Sequence, residues 1–171
     1  MKQVITKYPN KILFEKTRDI PKDQIKAETY SQIGSSMLET LKSTNGIGLS
    51  ANQVGLPLNM CVTNVIANDV KIILNPRIIK QSNEVFDSRE GCLSLPAVSL
   101  KIKRHKSITV EYETVDGETK QEEFYGLDAA VLQHEIDHLK GILITNRVSE
   151  YHRNKALKSL HKYMRFNKGK K

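Results

Sequence analysis

Apolar positions recur along the chain with two different periods, and each change of period marks a new element. From about Asp23 to Ser43, Ile25, Ile33, Met37 and Leu41 fall on one face of a 3.6-residue repeat, flanked by Tyr30 and Leu38. Asn45-Gly46 then stops the predicted helix. Leu58–Ile66 and Val70–Leu74 are strand-like runs rich in β-branched residues, separated by Asn68-Asp69. Ser107–Val115 and Glu118–Phe124 flank Asp116-Gly117, a dipeptide suited to the positive φ angles of a two-residue hairpin turn. The helical period returns from about Leu127 to Lys140, where Leu127, Val131, Leu132 and Leu139 give an apolar side and Gly141 supplies a C-terminal cap. After the short apolar run Ile142–Ile144, a third helix is predicted from Glu150 to about Phe166.

Strands and helices without regular β-α alternation predict an α+β fold with mostly antiparallel β-sheets and a C-terminal helix. No repeat or linker interrupts the 171 residues, so one domain is expected, with 1–146 as its catalytic body and 147–171 as a basic C-terminal helix or tail. Charge supports that division. Nine of the 27 basic residues but one of the 19 acidic ones lie from Arg147 onward, so the tail carries the whole net charge of +8. No apolar run approaches the ~20 residues of a membrane span, and a secretory or import leader is not expected from the first residues. The two cysteines, Cys61 and Cys92, are too few for a disulfide framework. A cytoplasmic protein with no membrane or DNA partner is expected.

Candidate chemistry concentrates in three short stretches. In Gln133-His134-Glu135-Ile136-Asp137-His138-Leu139 the two histidines stand at i and i+4, on one helical face, near enough to ligate one ion. Glu135 lies beside that face and suits a general base acting on water. The bland reading is a helix with two chance surface histidines. Cys92, in Arg89-Glu90-Gly91-Cys92-Leu93-Ser94-Leu95-Pro96, is the best third ligand, because a thiolate suits a borderline or soft divalent ion. Cys61, inside an apolar run, reads as a small buried hydrophobe. His105, among Arg104 and Lys106, and the tail residues His152 and His161 read as solvated. In Gly46-Ile47-Gly48-Leu49-Ser50-Ala51-Asn52-Gln53 small residues let backbone approach a ligand closely and Gln53 offers an amide donor. Alone, that stretch is as well explained by an ordinary turn.

Together, in this order and at this chain length, the three stretches resemble the signature motifs of peptide deformylases. The resemblance takes in Tyr8-Pro9 and Gly126-Leu127 and spans roughly residues 8 to 145. Departures are Ser50 for the usual Ala, Ala97 after Pro96 where Gly is common, and Ala130 for a frequent Arg. The resemblance implies a metal-dependent hydrolase that takes the formyl group off the N-terminal formylmethionine of nascent chains, its sheets packed around a central metal-binding helix. It makes Cys92, His134 and His138 the ligands of one divalent ion, with water in the fourth position. That ion is expected to be Fe(II) in the cell, with Zn, Ni or Co possible. Glu135 is implied as the base, and the Gln53 side chain and the Leu93 N–H as donors to the oxyanion. The peptide is expected to lie like an added strand against Ile47 and Gly48, with Leu127 and Val131 shaping the methionine pocket unless they are simply core. Arg104 resembles a substrate-side arginine, or else is a solvated strand end. The tail reads as a solvated helix or as a ribosome-docking one. On the docking reading, truncation after Asn146 is expected to spare hydrolysis of a short formyl peptide but to weaken ribosome binding. A zinc peptidase and a non-enzymatic RNA-binding module are the rival readings. The first expects a His or Glu as third ligand, and the second leaves the histidine motif unexplained.

Overall fold

A computed structural model describes residues 2–65 and 69–167. The first helix, α1 (Glu28–Lys42), starts later than the periodicity predicts. A 3-10 turn at Lys22–Gln24 and an extended Ala27 precede it. Ile25 is buried from that turn rather than from the helix, so its place in the periodic pattern is fortuitous. The strands β1 (Gly48–Ser50), β2 (Met60–Val65) and β3 (Asp69–Gln81) follow. Ile66 and Asn68, the end of one predicted strand and half of the predicted turn, lie outside the described residues. β3 runs well beyond Leu74, through Pro76, and its pairing shifts register there because proline offers no N–H to the ladder.

β4 (Val85–Cys92) and β5 (Leu95–His105) form a separate antiparallel hairpin that hydrophobic pattern did not predict. The reason is visible in β4, whose buried residues are Ser88 and Glu90, so no apolar alternation marks the strand. β6 (Ser107–Glu113) and β7 (Thr119–Tyr125) flank Asp116-Gly117 as expected, with Gly117 at φ 81°. The main sheet runs β1-β2-β3-β6-β7 and is antiparallel throughout. After it come α2 (Gly126–Leu139), capped by Gly141 at φ 74°, and α3 (Glu150–Asn167).

The two faces of the sheet carry different helices. Met60, Val62 and Leu74 pack with Met37 and Leu41 of α1, whereas Cys61, Ile73 and Ile108 pack with Ala129, Leu132 and Ile136 of α2. Alternate residues of β2 thus serve opposite layers, as the two-residue period of a strand requires. Ten residues of α2 are buried, which makes it the central helix. None of the described helices is long and apolar enough to cross a membrane.

A third cluster joins the β4–β5 hairpin to α3, with Leu95, Ile102, Leu13 and Leu143 closing around Ala156 and Leu160. The tail from 147 onward therefore is not an appendage. A cut after Asn146 strips the cover from Leu13, Leu95 and Leu143, so such a truncation is expected to destabilise the hairpin that carries Cys92. Leu160→Ala, which empties one fully buried site, is expected to cost about 3 kcal/mol in urea unfolding. A loss below about 1 kcal/mol would show that α3 is held by its surface alone.

Candidate active site

α2 is buried on nearly every side, so the polar residues on it must find partners inside the protein. His134 and His138 stand one turn apart with their rings 4.9 Å from centroid to centroid. Cys92 ends β4, just before the Leu93–Ser94 turn, and its Sγ lies 3.1 Å from His138 Nε2. The Cys92 sulfur and a ring nitrogen of each histidine lie within 4.8 Å of one another. Metal–ligand distances of about 2.0–2.3 Å set tetrahedral ligands roughly 3.4–3.8 Å apart, so this donor set fits one divalent ion. Burial pushes the Cys92 thiol up, but the neighbouring His138 and His134 outweigh that and hold it well below the ordinary thiol range. The thiolate is the form that binds metal.

His134 is oriented by a buried ionic chain. Its Nδ1 donates to Glu90 Oε2 at 2.9 Å, which leaves Nε2 to face Cys92 and a metal. Arg104 grips the same carboxylate through Nε at 2.8 Å and Nη2 at 2.9 Å, and its Nη1 reaches Asp137 Oδ2 at 2.6 Å. Asp137 in turn accepts from Arg147 through both Nε and Nη2. Burial would raise the Glu90 carboxyl, yet the bonds from Arg104 and His134 hold it at about 2.

Glu135 sits at 3% exposure, and burial lifts its carboxyl above the ordinary range. Its Oε2 has no protein partner among the described residues. A Cβ at Gly48 would overlap the Glu135 carboxylate, so the close packing of α2 against β1 requires glycine there. Gln53 occupies a 3-10 turn, Ala51–Val54, and its Oε1 accepts from the Ser50 N–H at 3.0 Å. The Ser50 hydroxyl lies 3.0 Å from the same oxygen, so this departure from the motif adds a contact that orients the amide. Nε2 of Gln53 is thereby turned toward Ser94 Oγ at 3.1 Å and Cys92 Sγ at 3.5 Å.

The N-terminal segment ties these pieces together, a role that the resemblance at Tyr8-Pro9 did not specify. The Thr6 N–H donates to the Gln53 carbonyl at 2.7 Å, Lys7 Nζ to the Leu93 carbonyl at 2.6 Å, and the Tyr8 N–H to the Ser94 carbonyl at 3.0 Å. The elements that carry Gln53 and Leu93 are thus braced by one strap.

These groups surround a cavity of about 440 Å³. Ile47, Gly48, Gln53, Cys92, Leu93, His134 and Glu135 line it, as do Leu127 and Val131. Leu127 is 46% exposed, so it is cavity wall rather than core, whereas Val131 is mostly covered. Ala97 also lines it at φ 61°, a left-handed conformation that costs a non-glycine residue about 1 kcal/mol.

Arg104 is the correction. It is 3% exposed, does not line the cavity, and is engaged by Glu90 and Asp137, so it is neither a substrate-side arginine nor a solvated strand end. Its parity with the buried Ile102 on β5 was the available signal. His105 is not solvated either, since its Nδ1 lies 2.6 Å from the Ser82 carbonyl and Gln133 holds its backbone. His152 and His161 are exposed on α3, as expected, and Cys61 is fully buried.

Comparison with known proteins agrees with this geometry. The model of the polypeptide deformylase family matches residues 2–154. A peptide deformylase of Dictyoglomus thermophilum is 40% identical over 85% of this chain and 92% of its own length. Among solved structures, a peptide deformylase from Legionella pneumophila superposes with a TM-score of 0.90 at 27% identity, over 98% of each chain. One from Thermotoga maritima gives 0.82 at 34% identity, over 87% of this chain and 99% of that one.

The ionic chain yields a pH prediction. Glu90 titrates at about 2 in the folded protein against an ordinary 4.5, so its stabilising contribution is complete above pH 4.5 and is lost as pH falls toward 2. Glu90→Gln is expected to cost about 3 kcal/mol in urea unfolding at pH 7. The gap to the native protein should narrow steadily between pH 4.5 and 2. A gap that stays constant through that window would deny Glu90 its buried charge.

Proposed function

The chain belongs to the polypeptide deformylase family, hydrolases that remove the N-formyl group from nascent polypeptides, and from that premise we propose how its residues divide the reaction. Cys92, His134 and His138 hold the divalent ion. Iron(II) is the ion we assign in the cytoplasm, with zinc, nickel or cobalt able to use the same donors. When bound, it supplies Lewis acidity toward the formyl carbonyl and toward water. Glu135 takes the proton as water attacks the formyl carbon, and returns it to the departing α-amine as the carbon–nitrogen bond breaks. Its carboxyl is raised by burial, which suits a group that must both accept and release a proton near neutrality. The Gln53 Nε2 and the Leu93 N–H donate to the oxyanion, and loss of one such donor costs about 3 kcal/mol of transition-state stabilisation. Formate and a free N-terminus leave.

The peptide enters as an added strand. β1 pairs with β2 alone, so backbone at Gly48 stands at a free sheet edge beside the cavity, while Ile47, whose carbonyl accepts from the Asn64 N–H, lines the mouth next to it. The methionine side chain goes between Leu127 and Val131. The observation that carries this reading is the Cys92, His134 and His138 cluster with buried Glu135 on the wall of the same cavity.

For docking on the ribosome the support is the shape of α3. Ala156 and Leu160 face inward, while Lys155, Lys158, Lys162 and Arg165 are exposed along with Tyr163 and Phe166. A basic face on a helix already anchored in the core suits ribosomal RNA, whose phosphates it attracts in a salt-dependent way. It is RNA, rather than DNA or a membrane, that we assign to this face.

Protein prepared without oxygen is expected to release formate from formyl-Met-Ala-Ser. Glu135→Gln should retain metal and lose activity by about a hundredfold or more. A folded, metal-loaded native protein that yields no formate, or that cuts internal peptide bonds, would return the peptidase reading. Charge reversal at Lys158, Lys162 and Arg165 is expected to keep short-peptide turnover while weakening ribosome binding. The salt slope of that binding should fall by about one for each phosphate that is no longer neutralised. Unchanged ribosome affinity would remove α3 as the docking element.

A further inference from the structure

The mouth of the cavity is lopsided in chemistry. One rim is apolar, with Ile47 at 43% and Leu127 at 46% exposure. The other is the outer face of β4. Strand alternation turns Ser88, Glu90 and Cys92 toward α2 and Arg89 to the opposite, exposed face; Ser88 to Leu93 all contribute to the cavity wall, Arg89 from that outer side.

Among the described residues Arg89 is the only lysine or arginine on the cavity wall, and no carboxylate pairs with it. The nearby acids are otherwise engaged. Glu90 is held by Arg104 and His134, Glu135 is buried, and Asp87 pairs with Lys101 at 2.9 Å. The cross-strand neighbour of Arg89 is Lys101, a like charge, and Lys103 stands opposite Asp87. The outer face of the hairpin therefore sets three cations against one acid, and of the two that no described carboxylate pairs with, Arg89 and Lys103, Arg89 is the one on the cavity wall.

Register gives the reach. β4 pairs only with β5, so its other edge is free toward the cavity. Arg89 lies three residues back from Cys92, or about 10 Å along an extended strand. A peptide whose formyl group is at the Cys92 end advances along that edge at the same rise. The residues that follow its methionine thus come beside the guanidinium. Resting on the deformylase reading of this site, we infer that Arg89 is a specificity residue that favours formylmethionyl peptides with an acidic side chain in the two residues after methionine.

The test is kcat/KM for formate release from formyl-Met-Ala-Glu-Ala, formyl-Met-Ala-Gln-Ala and formyl-Met-Ala-Lys-Ala, and from the set with the variable residue directly after methionine. All are amidated at the C-terminus so that no terminal carboxylate supplies the charge. In at least one set the native, metal-loaded protein is expected to rank Glu above Gln above Lys. The Glu-to-Lys ratio should be about threefold to fivefold at low salt, shrinking toward one at about 0.5 M salt. Arg89→Glu should invert the order and Arg89→Gln should flatten it. A flat or inverted order in both sets with the native protein, or an order that Arg89→Glu leaves untouched, would overturn the inference. Formate from none of the peptides would instead overturn the reading of the site on which it rests.

Discussion

The Arg104 guanidinium, buried between Glu90 and Asp137, is the interaction on which the rest of the site depends. A lone cation there would be prohibitively costly, and two carboxylates with matched hydrogen bonds make it tolerable. Each partner then does a second thing. Glu90 fixes the ring of His134, and Asp137 receives Arg147 from the segment that leads into α3. One side chain of β5 thus locks β4, α2 and the entry to the last helix into a single arrangement. The polar inner face of β4, which no hydrophobic force would seat, is seated by this charge.

What the sequence revealed follows from the same distinction. α2 was readable in both type and extent because its core side is apolar and Gly141 caps it. The ligand cluster was readable because i, i+4 spacing puts both histidines on one side of that helix, with Cys92 in a matching stretch. β4 escaped because its buried residues are Ser88 and Glu90, and polar burial leaves no periodic trace. Arg104 was misplaced for a related reason: a run of lysines and arginines reads as solvated until the parity of the strand is known, and the strand itself was not seen. The strap at Thr6 to Tyr8 acts mainly through backbone donors, which any residue supplies, so no pattern of residue types marks it.

The tail teaches the opposite lesson. Its charge was countable and its anchoring was not, since a helix can be basic around most of its surface and still bury Ala156 and Leu160. Ala156 and Leu160, with the half-buried Leu157 and Met164, anchor the eighteen-residue helix against β5. Net charge reports on what a helix shows to solvent, whereas docking is decided by the few positions it hides.

Free strand edges explain why the cavity lies where it does. β1 and β4 each pair on one side only, and their open edges flank the metal-ligand cluster. Open edges invite pairing with any extended chain, which is hazardous unless the edge is short, charged or irregular. β1 is three residues long, and β4 carries Asp87, Arg89 and Glu90 and ends at a register shift opposite β5, where Ala97 adopts a left-handed conformation. These features blunt association with another sheet while leaving room for a single extended peptide to lie between the edges. The same Gly48 that brings β1 against Glu135 keeps that edge free of side chain. Edge protection and substrate access are therefore satisfied by one set of residues, and a longer or more apolar β1 would gain pairing strength only by giving up selectivity for a lone chain end.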